Sequence, residues 1–394
     1  MNLTGLGDRS ALHARLAGVS EAEFRETYAR RMTRYRAEME RQGVDIAVLT
    51  FGAEVPWLIG YEPMPLERIT ALVLPRDGEA QLVVPELEAA RVRDRGDLFL
   101  VRPWKESEDP LSLLERAIGK ADRVAFSDRG WALWLLQLQN LAGLSRTKFV
   151  SSNSIAQRTR RAKDEIEVVN LAAAAAGADE VAELLHSGEI SLEGRTEREV
   201  SEEIVRALIA HGHRHVNFSI VASGPNAASP HHEATNRVIR SGDAVVCDFG
   251  GTYSVNGEPG YCSDTTRTLS VGEPSPEFGE AFRVLEEAQE LARAAAKVGA
   301  GLAEVDGVAR EHLTAAGLGQ YFFHRLGHGI GLEEHEEPYL ASHSVGDLEE
   351  GDAFSIEPGV YFSGKYGARI EDIAVCVDGE THVLNNSDRS LRIV

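Results

Sequence analysis

Residues 321–338 read YFFHRLGHGIGLEEHEEP, and this stretch decides how the rest of the sequence is interpreted. Three of the chain's 13 histidines, His324, His328 and His335, fall within it. Alternating glycines in its second half break any helix and let the backbone approach another group closely. A lone buried histidine is usually structural, but three histidines beside glycines and acids indicate a metal site or a reacting group.

The composition indicates a globular protein of two domains. A length of 394 residues and a hydrophobic content of 43% suffice for two cores. The 62 acidic against 41 basic residues give a formal charge of −21, which repels nucleic acid and anionic lipid. No apolar run approaches the roughly 18 residues that span a bilayer. Cys247, Cys262 and Cys376 are odd in number and lack a CxxC pair, so we expect no disulfides and a cytoplasmic location.

The first 157 residues predict an α/β domain in which we find no set of chemically active groups. Ser20 and Glu23 form a capping box, and the helix that follows, with its buried methionine and aromatic stripe, ends at Gly43. Apolar runs predict strands at 46–50, 71–75, 82–85, 98–101 and 124–126, and helices near 110–121 and 131–141. The basic, polar residues 154–163 predict a linker.

Residues 158–394 predict a second domain, which contains the histidine stretch. Helices are predicted at about 164–186, up to about 210 after a capping box at 196–199, and from Pro276 to Gly299. His211, His213 and His215 alternate after the second of these helices. They have no neighbouring acids or cysteines, so they predict a polar turn rather than a metal site.

Four acids in apolar segments suggest what the histidines serve. Asp248 ends an apolar strand and is followed by glycines, and Asp264 lies in a threonine-rich strand. If the two strands form a hairpin, both carboxylates face the same spot. Glu357, before a proline, and Glu371, on an apolar partner strand, add two more acids.

Such acids are costly to bury unless they are paired or bind a metal. A salt bridge, for example from Arg369 to Glu357, explains one of them, whereas four acids with His328 are better explained by cations. Four carboxylates and one imidazole suit two divalent ions bridged by carboxylates and a water, which becomes a hydroxide nucleophile. Oxygen-rich ligands favour Mn²⁺, with Co²⁺ or Zn²⁺ as alternatives.

From about residue 160 onward the chain resembles the pita-bread (M24) metallopeptidases, and within them the proline-specific branch of aminopeptidase P and prolidase (Xaa-Pro dipeptidase). The motifs that carry the resemblance are ASGPNAASPH at 222–231, DFG at 248–250, SDTTRT at 263–268, the histidine stretch at 324–335, IEPGVY at 356–361 and RIED at 369–372. The N-terminal half resembles the smaller creatinase-type domain by its pattern of elements. The implied fold class is α+β, with a creatinase-like α/β domain at 1–157 and a pita-bread catalytic domain at 158–394.

The resemblance implies a role for each acid and for His328. Asp248 binds one metal ion, and His328 and Glu357 bind the other. Asp264 and Glu371 bridge the two ions. Glu357 also carries the proton of the bridging water.

The resemblance also implies how the substrate is held. His231 and His335 bind the scissile carbonyl and the tetrahedral intermediate. His324, Arg369 and Tyr361 line the proline side of the site. For Arg369, a salt bridge that braces Glu371 or Asp372 is an equal alternative.

The implied activity is that of a dinuclear-metal exopeptidase, dimeric in the family, acting on peptides with proline in second position. Dipeptidase and aminopeptidase P activity are not separated at this stage. A creatinase-like amidinohydrolase or lyase, or a non-catalytic binding module on the same fold, are the alternatives, and the complete ligand set disfavours both. Residues 253–260 lengthen the first acidic hairpin by roughly five residues relative to the family. This insertion either narrows access to the site or has no effect.

Overall fold

The computed structural model describes residues 8–394, which form two compact units. The N-terminal unit comprises Gly18–Arg160 together with Gly257–Pro259. The C-terminal unit comprises the described residues up to Ala17, then Arg161–Asn256 and Gly260–Val394. The domain division at 157/158 stays a prediction about separately folding parts of the chain.

Helices and strands alternate irregularly along the chain. The helices are α1 (Arg9–Ala17), α2 (Glu21–Arg41), α3 (Glu54–Ile59), α4 (Glu86–Ala89), α5 (Pro110–Ile118), α6 (Ala132–Gln139), α7 (Asn153–Arg160), α8 (Glu165–His186), α9 (Glu197–Ala210), α10 (Pro276–Ala295) and α11 (Leu302–Ala315). Among the described helices, none combines the length and apolarity needed to cross a bilayer.

The strands are β1 (Ile46–Leu49), β2 (Ala71–Pro75), β3 (Gln81–Pro85), β4 (Leu100–Trp104), β5 (Arg123–Phe126), β6 (Lys148–Ser151), β7 (His213–Ser223), β8 (Ala244–Tyr253), β9 (Tyr261–Cys262), β10 (Thr265–Ser270), β11 (Gly327–Gly329), β12 (Glu336–Leu340), β13 (Ala353–Ile356), β14 (Gly359–Phe362), β15 (Tyr366–Arg369), β16 (Asp372–Val377), β17 (Glu380–Val383) and β18 (Arg392–Ile393).

The N-terminal unit contains one mixed six-stranded sheet in the order β4-β3-β2-β1-β5-β6. Its centre is β1, which pairs antiparallel with β2 and parallel with β5. The capping box at Ser20 is present, and the stripe on α2 is buried with Tyr35 and Met39 fully inaccessible. The predicted core role of that stripe is therefore confirmed.

The linker predicted at 154–163 is wrong, because residues 153–160 form α7. Ile155, Ala156 and Thr159 recur at helical spacing and are buried, while Arg158 stays exposed. Of the basic residues that suggested a linker, Arg158 lies on the exposed face of this amphipathic helix, whereas Arg160 is buried at its end.

The C-terminal unit is built on two five-stranded sheets. The first has the order β18-β10-β8-β7, with β9 also paired to β8, and the second has the order β12-β11-β13-β16-β17. A single bridge from Thr266 to Glu371 connects them, and β14 and β15 form a separate hairpin. The alanine run of α8 is fully buried against the described N-terminal helix α1 through Leu12 and Leu16.

The turn predicted at His211–His215 is also wrong, because His213 and His215 lie in β7. His213 is buried; its Nδ1 donates to Leu208 O (3.2 Å), and its Nε2 accepts from Ser263 Oγ (2.8 Å). The alternating histidines follow the two-residue period of a strand. Helix α10 ends at Ala295, before the predicted Gly299.

The hairpin insertion has a definite place in the structure. Its tip, Gly257–Pro259, belongs to the N-terminal unit, where the buried Glu258 accepts hydrogen bonds from Tyr28 (2.6 Å) and Arg95 (2.7 Å). The insertion is therefore a packing element with its own ion pair, and its effect on access to the site stays a prediction.

Candidate metal centre and active site

A cavity of about 820 Å³ in the C-terminal unit brings the separate sequence motifs together. Nine of the ten predicted site residues line it: His231, Asp248, Asp264, His324, His328, His335, Glu357, Arg369 and Glu371. The tenth, Tyr361, is buried behind the wall and contacts two of them.

The first pair of acids is placed by the β8–β10 hairpin. Asp248 lies opposite Thr266 in the antiparallel register, and Asp264 stands two residues before Thr266. Alternation along a strand puts Asp264 on the same face as Thr266, so both carboxylates face the cavity. The predicted hairpin is confirmed.

The second pair of acids comes from the other sheet. Thr266 Oγ1 donates to Glu371 Oε2 (2.7 Å), and Glu371 N donates to Thr266 O (3.2 Å). Glu357 follows β13, and Ser355 Oγ donates to its Oε1 (3.1 Å). The two sheets therefore meet at the carboxylates.

His328 adjoins both sheets in an orientation that suits metal binding. Its Nε2 lies 3.2 Å from Glu357 Oε1 and 3.6 Å from Asp264 Oδ2. Its Nδ1 donates to the Gly329 carbonyl (3.0 Å), which leaves an unprotonated Nε2 directed at the acids. Metal-binding histidines are typically fixed in this way. Burial, then the charge of nearby His335, lowers the pKa of His328 to about 3, so the ring is neutral.

The four acids and His328 have the properties of a set of metal ligands. Asp264, His328 and Glu371 place ligand atoms within 4.8 Å of one another. Among the described residues, no group hydrogen-bonds the buried Asp248 Oδ1 or Glu371 Oε1. Burial and the mutual repulsion of the carboxylates raise the pKa of Asp264 and Glu371 well above the usual range, and burial raises that of Glu357 to about 7. This donor set fits divalent cations.

Arg369 is the counter-charge within this cluster. Its Nη2 donates to Asp248 Oδ2, its Nε to Thr266 Oγ1 (3.0 Å) and its Nη1 to the Tyr361 hydroxyl (2.8 Å). The salt bridges considered from the sequence, to Glu357, Glu371 or Asp372, are therefore wrong. Asp372 is instead buried against Arg267 (3.0 Å), because its side chain leaves the strand on the side away from Asp248.

A hydrogen-bonded row extends from Arg369 along one wall. Tyr361 accepts from Arg369, and its hydroxyl lies 3.1 Å from His324 Nε2. His324 Nδ1 donates to the Arg325 carbonyl (2.7 Å). Burial lowers the pKa of His324 to about 3 and raises that of Tyr361 to about 12, so both side chains are neutral. Phe323, 62% exposed, lies with its ring 5.4 Å from that of Tyr361.

His231 and His335 present free ring nitrogens to the cavity. Both are exposed, and neither ring is hydrogen-bonded to another group in residues 8–394. The His335 ring lies 4.1 Å from that of His328. Burial, then the guanidinium charge of Arg325, lowers the pKa of His335. The ring N–H groups of histidines in this position can donate to a substrate oxygen.

Glu197 is a supporting residue that the sequence did not reveal. Its fully buried carboxylate accepts from Ser223, Asn226, His232 and Thr235, which flank His231 on both sides. Burial alone would raise its pKa, but the hydroxyl and imidazole donors lower it to about 2. At the start of a capped helix an acid resembles a dipole partner, so the sequence gave no signal of this role.

We expect Glu197→Gln to lower both stability and kcat. The depressed pKa means that the carboxylate stabilises the fold above pH 4.5 and that this stabilisation is lost as pH falls towards 2. The variant should lose about 2 kcal/mol of unfolding free energy at pH 7, with a smaller difference at pH 3.5. Glu199→Gln, which keeps the capping box on the same helix, is the control for thermal and chemical unfolding at both pH values. An equal loss of unfolding free energy in both variants would contradict this stabilising role of the Glu197 carboxylate.

Comparison with known proteins shows which family shares this sequence and fold. Residues 169–378 match metallopeptidase family M24, and residues 31–162 match the creatinase/prolidase N-terminal domain. A probable dipeptidase PepE from Mycobacterium bovis is 40% identical over 373 residues, 94% of this chain and 97% of that protein. The crystal structure of dipeptidase PepE from Mycobacterium ulcerans is 40% identical, with a TM-score of 0.85 over 94% of this chain and 98% of that one. The prolidase from Thermococcus sibiricus is 33% identical, with a TM-score of 0.86 over 93% and 99%.

The fold and the site together define a metallo-exopeptidase with a creatinase-type N-terminal domain and a pita-bread catalytic domain. The chain belongs to metallopeptidase family M24. The predicted fold class, family and enzyme class are thus confirmed.

Proposed function

We propose that the chain is a metallo-dipeptidase that hydrolyses the Xaa-Pro bond with two divalent ions, Mn²⁺ in preference to Co²⁺ or Zn²⁺. The observation that carries this proposal is the joining, in one cavity, of a five-residue ligand set and a wall formed by His324 and Phe323, with Tyr361 packed behind it. The relatives named dipeptidase and prolidase support the same activity.

The ligand residues bind the metal ions, and one of them also accepts the proton of a water molecule. Asp248, Asp264, His328, Glu357 and Glu371 would hold the ions. When bound, such ions acidify a water molecule and polarise the scissile carbonyl. Glu357 holds and transfers the proton of that water, since it lies at the edge of the cluster with a single hydroxyl donor, Ser355.

The remaining side chains position the peptide. His231 and His335 donate hydrogen bonds to the scissile carbonyl oxygen as charge develops on it. An Xaa-Pro bond is a tertiary amide without an N–H group, so the site needs no acceptor for one. The rings of His324 and Phe323 line the cavity, with the ring of Tyr361 packed against them, and supply a surface against which the proline ring packs.

Removal of the metal ions tests this function. We expect dialysis against a chelator to abolish hydrolysis of Ala-Pro, and Mn²⁺ or Co²⁺ to restore it, because the nucleophile depends on the ions. Release of the N-terminal alanine should be measured from Ala-Pro and Ala-Pro-Ala, with Ala-Ala (release of alanine) and creatine (release of urea) as controls. Full activity after chelation would refute the metal-dependent mechanism. Ala-Ala or creatine cleaved as well as Ala-Pro would refute the proline preference.

The homodimer and the cytoplasmic location stay predictions. Sedimentation of the purified protein at several concentrations measures the first directly. A monomer at every concentration would contradict it.

A further inference from the structure

A buried ion pair in the C-terminal unit involves the residue that follows His335. Lys163 Nζ lies 2.6 Å from Glu336 Oε1, and the two side chains are 0% and 7% exposed. Glu336 is the first residue of β12, and neither it nor Lys163 lines the cavity. A buried cation and a buried anion are costly unless they are paired, so each one fixes the position of the other.

The carboxylate of Glu336 also closes the loop formed by residues 331–336. A Cβ atom at Gly331 would lie 2.3 Å from Glu336 Oε1, so the glutamate side chain folds back against the backbone at the start of the loop. Inside the loop, Gly331 N donates to Glu333 O (3.0 Å). The oxygen that contacts Gly331 is the one that pairs with Lys163, so this single atom joins both ends of the loop to the lysine.

The backbone of Lys163 is fixed by the second five-stranded sheet. Lys163 N donates to Gly351 O (2.8 Å), and two positions earlier Arg161 Nη2 pairs with the buried Asp352 (2.6 Å). Asp352 directly precedes β13, a strand of that sheet. Lys163 therefore connects the loop that carries His335 to the segment that leads into β13.

The His335 ring depends on its backbone for its orientation. The ring is exposed to the cavity and makes no hydrogen bond to another group in residues 8–394. The ring of His328, by contrast, is held by its hydrogen bond to Gly329 O (3.0 Å). Apart from its contact with the His328 ring (4.1 Å), the His335 imidazole is therefore placed by the backbone around it. An ion pair that fixes Glu336 also fixes the histidine before it.

We propose that Lys163 is a positioning residue that, through Glu336, holds the His335 ring where it donates to the scissile carbonyl oxygen. The inference rests on the proposed peptidase function. A donor aligned with a developing oxyanion stabilises the transition state more than it stabilises the bound substrate, and a misplacement of about 1 Å costs up to about 100-fold in rate. Loss of Lys163 should therefore lower kcat far more than it raises KM.

A double-mutant cycle tests whether Lys163 acts through His335. Steady-state kinetics with Ala-Pro are measured for the Mn²⁺-loaded wild type, Lys163→Met, His335→Ala and the double variant. We expect Lys163→Met to lower kcat by about 10- to 100-fold and to change KM by less than about 3-fold. In the His335→Ala background the same substitution should lower kcat by less than about 2-fold, because the ring that Lys163 positions is absent.

Arg161→Met is the matched control. Arg161 stands two positions before Lys163 and pairs with a buried carboxylate, but that carboxylate, Asp352, is not adjacent in sequence to a residue that lines the cavity. Both substitutions should lower the melting temperature, whereas only Lys163→Met should lower kcat by more than about 2-fold. Glu336→Gln breaks the same pair from the other side and takes the place of Lys163→Met in the cycle if that variant does not fold.

Hydrogen exchange in the metal-free protein tests the positioning without catalysis. Lys163→Met should increase amide exchange in residues 331–336, and Arg161→Met should leave it at the wild-type rate. An equal loss of kcat with and without His335, or unchanged exchange in this segment, would overturn the proposal. If the wild type cleaves no Xaa-Pro peptide, the proposed function fails, whereas faster exchange in Lys163→Met still supports the role of the ion pair in fixing His335.

Discussion

Asp264→Asn is expected to lose Xaa-Pro hydrolysis by more than about 100-fold and, at the same time, to raise the melting temperature of the metal-free protein. Burial and then the charges of Glu371, Asp248 and Glu357 raise the pKa of Asp264 well above its usual range. An acid whose pKa rises on folding destabilises the fold once pH exceeds its unfolded value, so its charge is unfavourable at pH 7 without metal. The neutral amide removes that charge while keeping nearly the same shape.

The expected gain in the metal-free state is about 1 kcal/mol, or roughly 2–4 °C for a domain of this size. Divalent ions should stabilise the wild type further and should stabilise Asp264→Asn little, because the bridging carboxylate is absent. Asp372→Asn is the matched control, since Asp372 is equally buried but is ion-paired with Arg267 (3.0 Å) outside the cavity, and this pairing lowers its pKa despite the burial. That variant should lose stability with or without metal and keep its metal content. A lower melting temperature for metal-free Asp264→Asn would contradict the account of the cluster.

Arg369→Met is expected to lower the melting temperature of the metal-free protein, which is opposite to the effect of Asp264→Asn. Arg369 is the cation that Asp248 contacts directly, so its loss leaves a buried carboxylate without compensation. Breaking a buried ion pair from one side costs about 3–5 kcal/mol. The metal-free variant should therefore unfold many degrees below the wild type. Added Mn²⁺ should recover much of that loss, because it supplies the missing positive charge.

Arg267→Met is the control for this second prediction. Arg267 is equally buried and pairs with Asp372 (3.0 Å), but it does not line the cavity. Its loss should destabilise the protein by a similar amount, and Mn²⁺ should not restore it. Melting curves of both variants with and without Mn²⁺ measure whether the metal restores stability in one variant or in both. Equal recovery in the two variants would show that the metal acts through general stabilisation rather than at Asp248.

The sequence was most informative where burial makes a charge costly. Asp248, Asp264, Glu357 and Glu371 stand in segments apolar enough to be buried, so the cost of isolated carboxylates predicted a common cation site. The period of two along β8 and β10 also predicted that Asp248 and Asp264 share a face. These inferences need only local pattern and a general energy cost.

The ion-pair and hydrogen-bond partners of these side chains could not be predicted from the sequence, because they depend on which strands become neighbours. Arg369 pairs with Asp248, which lies 121 positions earlier in the chain, rather than with the nearer Glu371 or Asp372. Glu197 resembled an ordinary acid in the first turn of a helix, although four residues of the stretch 223–235 donate hydrogen bonds to it.

The local errors have a related cause. Residues 154–163 were predicted to be a linker from their charge, although the spacing of Ile155, Ala156 and Thr159 already satisfies a helix. His213 was assigned to a turn because no acid stood near it in sequence. In the fold its partners are Leu208 and Ser263, and the second of these comes from across the sheet. In each case polar composition outweighed periodicity in the prediction.

The central claim is that the four acids and His328 hold two divalent ions in the cavity of the C-terminal unit. Anomalous scattering from crystals grown with Mn²⁺, recorded on both sides of the manganese absorption edge, tests it most directly. We predict two peaks, both in contact with Asp264 and Glu371, one of them also with Asp248 and the other with His328 and Glu357. A single peak, or peaks outside this set of residues, would contradict the dinuclear site.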